Sequence, residues 1–302
     1  MVLEHIFPED WLEQKGRYAF VLGVVYSIVG LMLARFLFRG DPALVAVGLT
    51  SLLLLPELYK IFSIEERKES LENKVSIRSL WRNDINLVRV YIFLFLGILL
   101  VYSIGAILLP SVTTNTLFRE QLEVRFGQGF AGNAITGNAV SSSAFNSGLF
   151  FSLLSNNFLV LIACFIMALL TGDGAIFLIT WNASVWGTIF GITAKNASLF
   201  TGGNAYLTFA LIMLIVFPHM IIEGISYFLA AISGSVISKD VILEQFMSSR
   251  FFEVFGFNLY LLLLGLLFLL LGAFVETFVL DNVGIYQEII QQSLKAVSSR
   301  GL

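Results

Sequence analysis

Long apolar runs dominate the chain, at about residues 18–38, 43–59, 88–109, 157–171, 175–194, 205–217, 219–238 and 257–280. They are apolar on every face and lack the alternation of a half-buried strand. The longer ones reach the roughly 18–20 residues that a helix needs to cross a bilayer. "RGDP" joins the first two runs, and Pro42 cannot continue the helix before it, so the pair reads as a helical hairpin. Later runs are shorter and broken by "TGDG" at 171–174, "KNASLFTGGN" at 195–204 and Pro218. Such interrupted segments include half-helices or re-entrant pieces, which are tolerated where protein or water covers the backbone. The pattern predicts an all-α polytopic transmembrane helical bundle of about eight membrane segments, some short or re-entrant.

The polar stretches set the organisation. Residues 60–89 hold seven of the chain's 18 basic residues, from Lys60 to Arg89. Lysine and arginine collect on the cytoplasmic side of membrane proteins. This connector and the N-terminus are therefore expected in the cytoplasm, with Trp81 as an interfacial anchor. The 110–155 stretch then lies outside. It opens with the charged "TLFREQLEVRFG", and from Phe126 to Ser155 it carries no charge. Phe145, Leu149, Phe150, Leu153 and Leu154 fall at helical spacing and predict an interfacial helix before the next span. The expected divisions are an N-terminal hairpin with its connector at 1–86, a membrane core at 87–281 and a tail at 282–302.

Composition narrows the class. The mean hydropathy is +0.87, and only 13% of residues are charged, against about a quarter in soluble proteins. That excludes a soluble globular domain and places the chain in a membrane, by expectation the plasma membrane. A net charge of −3 gives no basis for nucleic-acid binding. The single Cys164 permits no intramolecular disulfide. The first 20 residues contain four carboxylates and resemble no secretory leader, so the first span is expected to be retained. There is no G-x-S-x-G elbow, H-E-x-x-H pair or Walker loop. The chain is expected to be no enzyme and to need no metal or cofactor.

Three groups of residues carry the chemistry. In "FPHMIIEG", Pro218 is expected to open a helix, which puts His219 and Glu223 one turn apart on one face. Glu276 is a lone carboxylate near the end of the last run. Ionisable groups within a membrane are costly unless paired or hydrated, which makes these three a candidate polar cluster: a structural clamp, a proton relay or a cation site. The amides form the second group. Asn156 and Asn157 are expected to cap the fourth span, and Asn182 to bond across helices. Small residues form the third. Gly187 and Gly191, like Ala230 and Gly234, permit close helix packing within the chain or between copies, while Gly172 and Gly174 mark a turn.

In order along the chain, "LLSNNFLVLIACFIMALLTGDGAIFLITWNASVWGTIFG", "FPHMIIEGISYFLAAISGSVIS" and "GAFVETFVL" resemble the recurrent motifs of the stage II sporulation protein M family. The resemblance covers about residues 88–281. It falls on Asn156 and Asn157; on Gly172, Gly174, Asn182 and Gly191; on Pro218, His219 and Glu223; and on Glu276. Met220 departs from the glycine that the family usually has after the histidine. The resemblance implies a membrane scaffold or remodelling component, since the namesake members look like recruiters of wall-degrading enzymes during engulfment of a forespore. It implies protein partners, a homo-oligomer among them, beside the lipid bilayer. The family is also distantly similar to membrane subunits of ABC-type exporters. That is the alternative reading, with a separate ATPase touching 60–89 or 239–253.

Overall fold

A computed structural model describes residues 16–71, 77–127, 145–243 and 249–299, and the regular structure among them is all helical. In chain order the helices are α1 (Gly16–Leu37), α2 (Pro42–Leu71), α3 (Ile77–Leu108), α4 (Ser111–Leu117), α5 (Arg119–Gly127), α6 (Ser147–Thr171), α7 (Ala175–Thr201), α8 (Ala205–Leu243), α9 (Ser249–Asn282) and α10 (Gly284–Ser298). Seven are long and apolar enough to cross a membrane: α1, Pro42–Ile61 of α2, Asp84–Leu108 of α3, α6, α7, Ala205–Ser238 of α8 and Phe252–Asn282 of α9. The protein is an all-α polytopic bundle.

The count falls from eight to seven because Pro218 stands inside α8 and opens no new helix. Its missing N–H removes one bond to the carbonyl of Leu214, a loss that helices in a membrane tolerate. Seven such helices among the described residues put the start of α1 and the end of α9 at opposite ends of the bundle. They also put α4, α5 and α10 at the same end, where α3, α7 and α9 finish.

Local chemistry sets the helix ends. The Leu149 amide donates to Asn146 Oδ1 at 3.0 Å, so α6 starts at Ser147 and absorbs the interfacial helix expected before it. Asn156 and Asn157 are therefore interior residues of α6, not caps. Gly172 ends α6 with a φ of 76°, open to glycine and strained for other residues. The Gly174 amide donates to Thr171 Oγ1 at 3.1 Å and turns the chain into α7. Asn204 Oδ1 accepts from the Tyr206 amide at 2.9 Å and caps α8. The helical ends of 60–89 simply prolong α2 and open α3. Trp81 lies outside the described side chains, and residues 128–144 of the uncharged stretch and 244–248 of the mixed stretch lie outside the described residues.

α7 is the central column, packed against α3, α8, α10 and α2. Between apolar helices in lipid, close backbone approach replaces the hydrophobic drive of water. A Cβ added at Gly187 would stand 2.5 Å from the Leu99 carbonyl oxygen, and one at Gly191 2.5 Å from that of Ser103. The GxxxG of α7 is thus filled by α3 of the same chain. Gly234 does the same for α8 and α6: its Cβ would come 2.5 Å from the Phe165 carbonyl oxygen. Aromatic side chains close the middle, with Phe95 edge-on to Trp186 and Phe228, and Tyr91 stacked on Phe228 at 5.6 Å.

α4 and α5 fold back onto the bundle. Phe118 is fully buried, with its ring 5.4 Å from that of Tyr102, and Gln121 Nε2 donates to Ser184 Oγ of α7 at 3.3 Å. Arg119 faces out and bonds Glu120 at 2.9 Å and Asp41 at 3.1 Å, contacts that raise its pKa above the usual arginine value. Lys195 of α7 donates to the carbonyls of Leu109, at 2.5 Å, and Ala106, at 3.4 Å. It neutralises the negative end of α3 and fixes the turn into α4. Lys195→Met is expected to cost about 1.5–3 kcal/mol, the range for a hydrogen bond from a charged donor. Hydrogen exchange of the amides at 106–118 should speed up while that of α8 stays unchanged.

Candidate functional site

α8 packs against α6 and α9, and the candidate cluster lies between the three. Glu223 of α8 is 2% exposed and Glu276 of α9 is 8% exposed. Their carboxyl groups lie close enough to interact directly, and Asn157 of α6 stands beside Glu223. Asn157 Oδ1 in turn accepts from Asn156 Nδ2 at 3.4 Å, so a polar chain runs from exposed Asn156 to the buried pair. Gly272 makes the slot: a Cβ there would stand 2.5 Å from Glu223 Cγ. Tyr227, one turn beyond Glu223, is within electrostatic reach of both carboxyl groups.

A hydrogen bond between two carboxyl groups needs a proton on one of them. Such a bond would make the pair a unit sharing one proton, with Asn157 beside Glu223. Glu223 Oε1 and Glu276 Oε2 are buried without a hydrogen-bond partner among the described residues. Leaving such an atom unpaired costs about 1–3 kcal/mol, so native interiors rarely do so.

His219 is apart from this pair. It is buried, its Nδ1 has no hydrogen-bond partner among the described residues, and no ion pair or hydrogen bond among them joins it to Glu223. The i, i+4 spacing places the two on one face, but the groups that interact with Glu223 are Glu276 and Asn157. Asn182 does not bond across helices either: its Nδ2 donates to Leu178 O of its own helix at 2.8 Å.

Some buried polar residues escape a reading of the sequence. Gln121 is fully buried although it lies in a charged stretch, and only the amphipathic spacing of α5 hints at it. Asn258 is also buried, and the Ser233 hydroxyl donates to its backbone carbonyl at 2.7 Å. Glu57, Asp84 and Asp173 are buried carboxylates at the end of the bundle opposite α4 and α5, and Glu57 lies 3.9 Å from Lys60. For Glu57 the signal is a lone charge inside the apolar run 43–59.

Neither a curated protein nor a solved structure matches the chain. The family model for stage II sporulation protein M does, and it reaches further toward the N-terminus than the motifs, taking in α1 and α2 as well as the carboxyl pair. With residues 19–279 matched, most of the bundle, the chain belongs to the stage II sporulation protein M family.

Proposed function

We propose that the protein is a non-enzymatic scaffold of the plasma membrane that recruits partner proteins or remodels the membrane. The observation that carries this reading is the group of short helices at one end of the bundle. α4, α5 and α10 are all fastened there: α5 through Gln121 and Ser184, α4 through the Lys195 bond at its entry, and α10 through buried Tyr286 and Ile289 and the Lys295 ammonium 5.9 Å from the Phe200 ring centre. Gln287 Nε2 also donates to the Leu280 carbonyl at 2.6 Å, tying α10 to the end of α9. Helices held this way offer a fixed polar surface beside the membrane, which suits recruitment. The basic connector at 60–89 orients the bundle with its N-terminus in the cytoplasm and this surface outside.

A second reading, a transporter subunit working with a separate ATPase, is favoured by the carboxyl pair and its two unpartnered oxygens. Intramembrane carboxyl groups are a recurrent mark of ion and proton paths. Mild cross-linking in the native membrane followed by mass spectrometry of what co-purifies distinguishes the two. Envelope or remodelling proteins without an ATPase are the expected result. A stoichiometric ATPase, cross-linked to 60–89 or 239–253, overturns the scaffold in favour of the transporter.

A further inference from the structure

We propose that the groove between the α1–α2 turn and α4 binds the phosphate headgroup of an anionic phospholipid, with Arg35 and Arg39 as its ligands. The groove has a volume of about 340 Å³ and is lined by Arg35, Arg39, Thr113, Thr116, Val112 and Leu117 among others. That lies within the range of small-ligand sites, about 300–1,000 Å³.

Three observations carry the assignment. The first is charge. No carboxylate lines the groove, and neither arginine forms an ion pair with a described residue. Asp41, the acid nearest in sequence, is held by Arg119 at 3.1 Å. Arg35, in the last turn of α1, and Arg39, in the turn that follows it, therefore line a shared concavity with no counter-ion among the described residues. Their planar donor sets match phosphate oxygens.

The second is depth. Arg35 is in the last turn of α1, and Leu37 ends that span. Pro42 begins the next. The arginines thus stand where headgroups lie, and basic pockets between membrane helices at that level are a known way of holding anionic lipids. The placement holds whichever leaflet this end of the bundle occupies.

The third is the apolar surface beside the charge. Phe36 is 73% exposed, Leu37 59% and Val112 80%. A free phosphate ion has no use for that surface. A phospholipid does, because its acyl chains can lie along α1 while the phosphate meets the arginines.

The test uses the full chain, purified in detergent and equilibrated with mixed micelles holding equal amounts of phosphatidylglycerol and phosphatidylcholine. Native mass spectrometry counts the lipids retained. The unmodified protein is expected to prefer phosphatidylglycerol, and Arg35→Gln and Arg39→Gln should each lower that preference about fivefold. Val112→Glu, which puts a carboxylate at the rim without touching either arginine, should lower it as well. Arg17→Gln, at the other end of α1 and outside the groove, should leave it unchanged. Equal retention of the two lipids by the unmodified protein, or a preference that survives the double arginine variant with its helical content intact, overturns the proposal. Displacement of phosphatidylglycerol by millimolar inorganic phosphate would identify the ligand as a free anion and overturn the assignment to lipid.

Discussion

Gly191→Leu is expected to cost at least about 3 kcal/mol and to abolish most of the folded protein, because the α3–α7 seam has no room for a side chain. The Cβ alone would stand 2.5 Å from the Ser103 carbonyl oxygen and 2.9 Å from Ala106 Cβ. These are backbone and methyl atoms, which have no rotamer to move into. Gly191→Ala is accordingly expected to cost about 1–3 kcal/mol, and the effect of Gly187→Ala should be similar. Relief requires α7 to back away from α3, and α7 also carries the contacts of Gln121, Lys195 and Phe200 described above. The damage should therefore reach α4, α5 and α10 at the end of the bundle. Gly48 and Gly256 are the controls: nothing lies within 4 Å of a Cβ at either, so alanine there should be tolerated. Unfolding in detergent followed by circular dichroism, alongside hydrogen exchange at 111–127 and 284–298, measures both effects. Equal loss at Gly191 and Gly48 would sink the seam as the cause.

Membrane residence, the all-helical architecture and the packing glycines were legible from the sequence because each rests on a strong local signal. Twenty apolar residues have few alternatives to a spanning helix. The GxxxG could be read as a packing face, though nothing in the motif says which helix fills it. α3 does so because Leu99, Ser103 and Ala106 recur at the spacing that matches Gly187 and Gly191. Two readings failed for one reason: each took a local breaking or capping residue as decisive. By sequence Pro218 reads as a helix start, and Asn156 as a cap. In a continuous apolar run the flanking turns keep their own hydrogen bonds, so losing one bond at Pro218 does not end α8. Asn146, eleven residues before Asn157, supplies the cap, where the neighbouring glycine and serines allow the helix to begin.

The candidate cluster was legible in part. Glu223 and Glu276 stand out as carboxylates in apolar runs, and burial of each needs a partner, but sequence cannot say that the partner is the other carboxyl. Spacing favoured His219, because helical periodicity links residues on one helix more readily than residues on two. The contact across α8 and α9 depends on Gly272, whose missing side chain leaves the slot for Glu223. A glycine seven residues after Gly265 and four before Glu276 is a weak cue in a chain with 25 glycines.

Single and double replacements of the carboxyl pair should show how the shared proton is used. Glu223→Ala is expected to destabilise the bundle by about 2–5 kcal/mol, the cost of a buried polar group left without a partner together with the cavity beside Gly272. It strands Glu276 and the Asn157 donor, and it empties the slot beside Gly272. Glu223→Gln should cost about 1 kcal/mol or less, because its amide N–H can take the place of a shared proton toward Glu276 while its carbonyl keeps an acceptor beside Asn157. Adding Glu276→Gln should cost little more, and the departure of the double variant from the sum of the singles measures the coupling of the pair. Unfolding in detergent reads the stability of the original protein and of the four variants, Glu276→Gln alone among them, and partner recovery after cross-linking reads their assembly. In a scaffold the pair only joins α6, α8 and α9, so the glutamine variants should assemble normally and keep function, while the alanine variant fails through its fold. A pair that must release its proton gives a different result: the glutamine variants fold and assemble as well as the original, yet lose all function. That pattern would reject the scaffold reading, because an amide can hold the contact but cannot give up a proton and recover it.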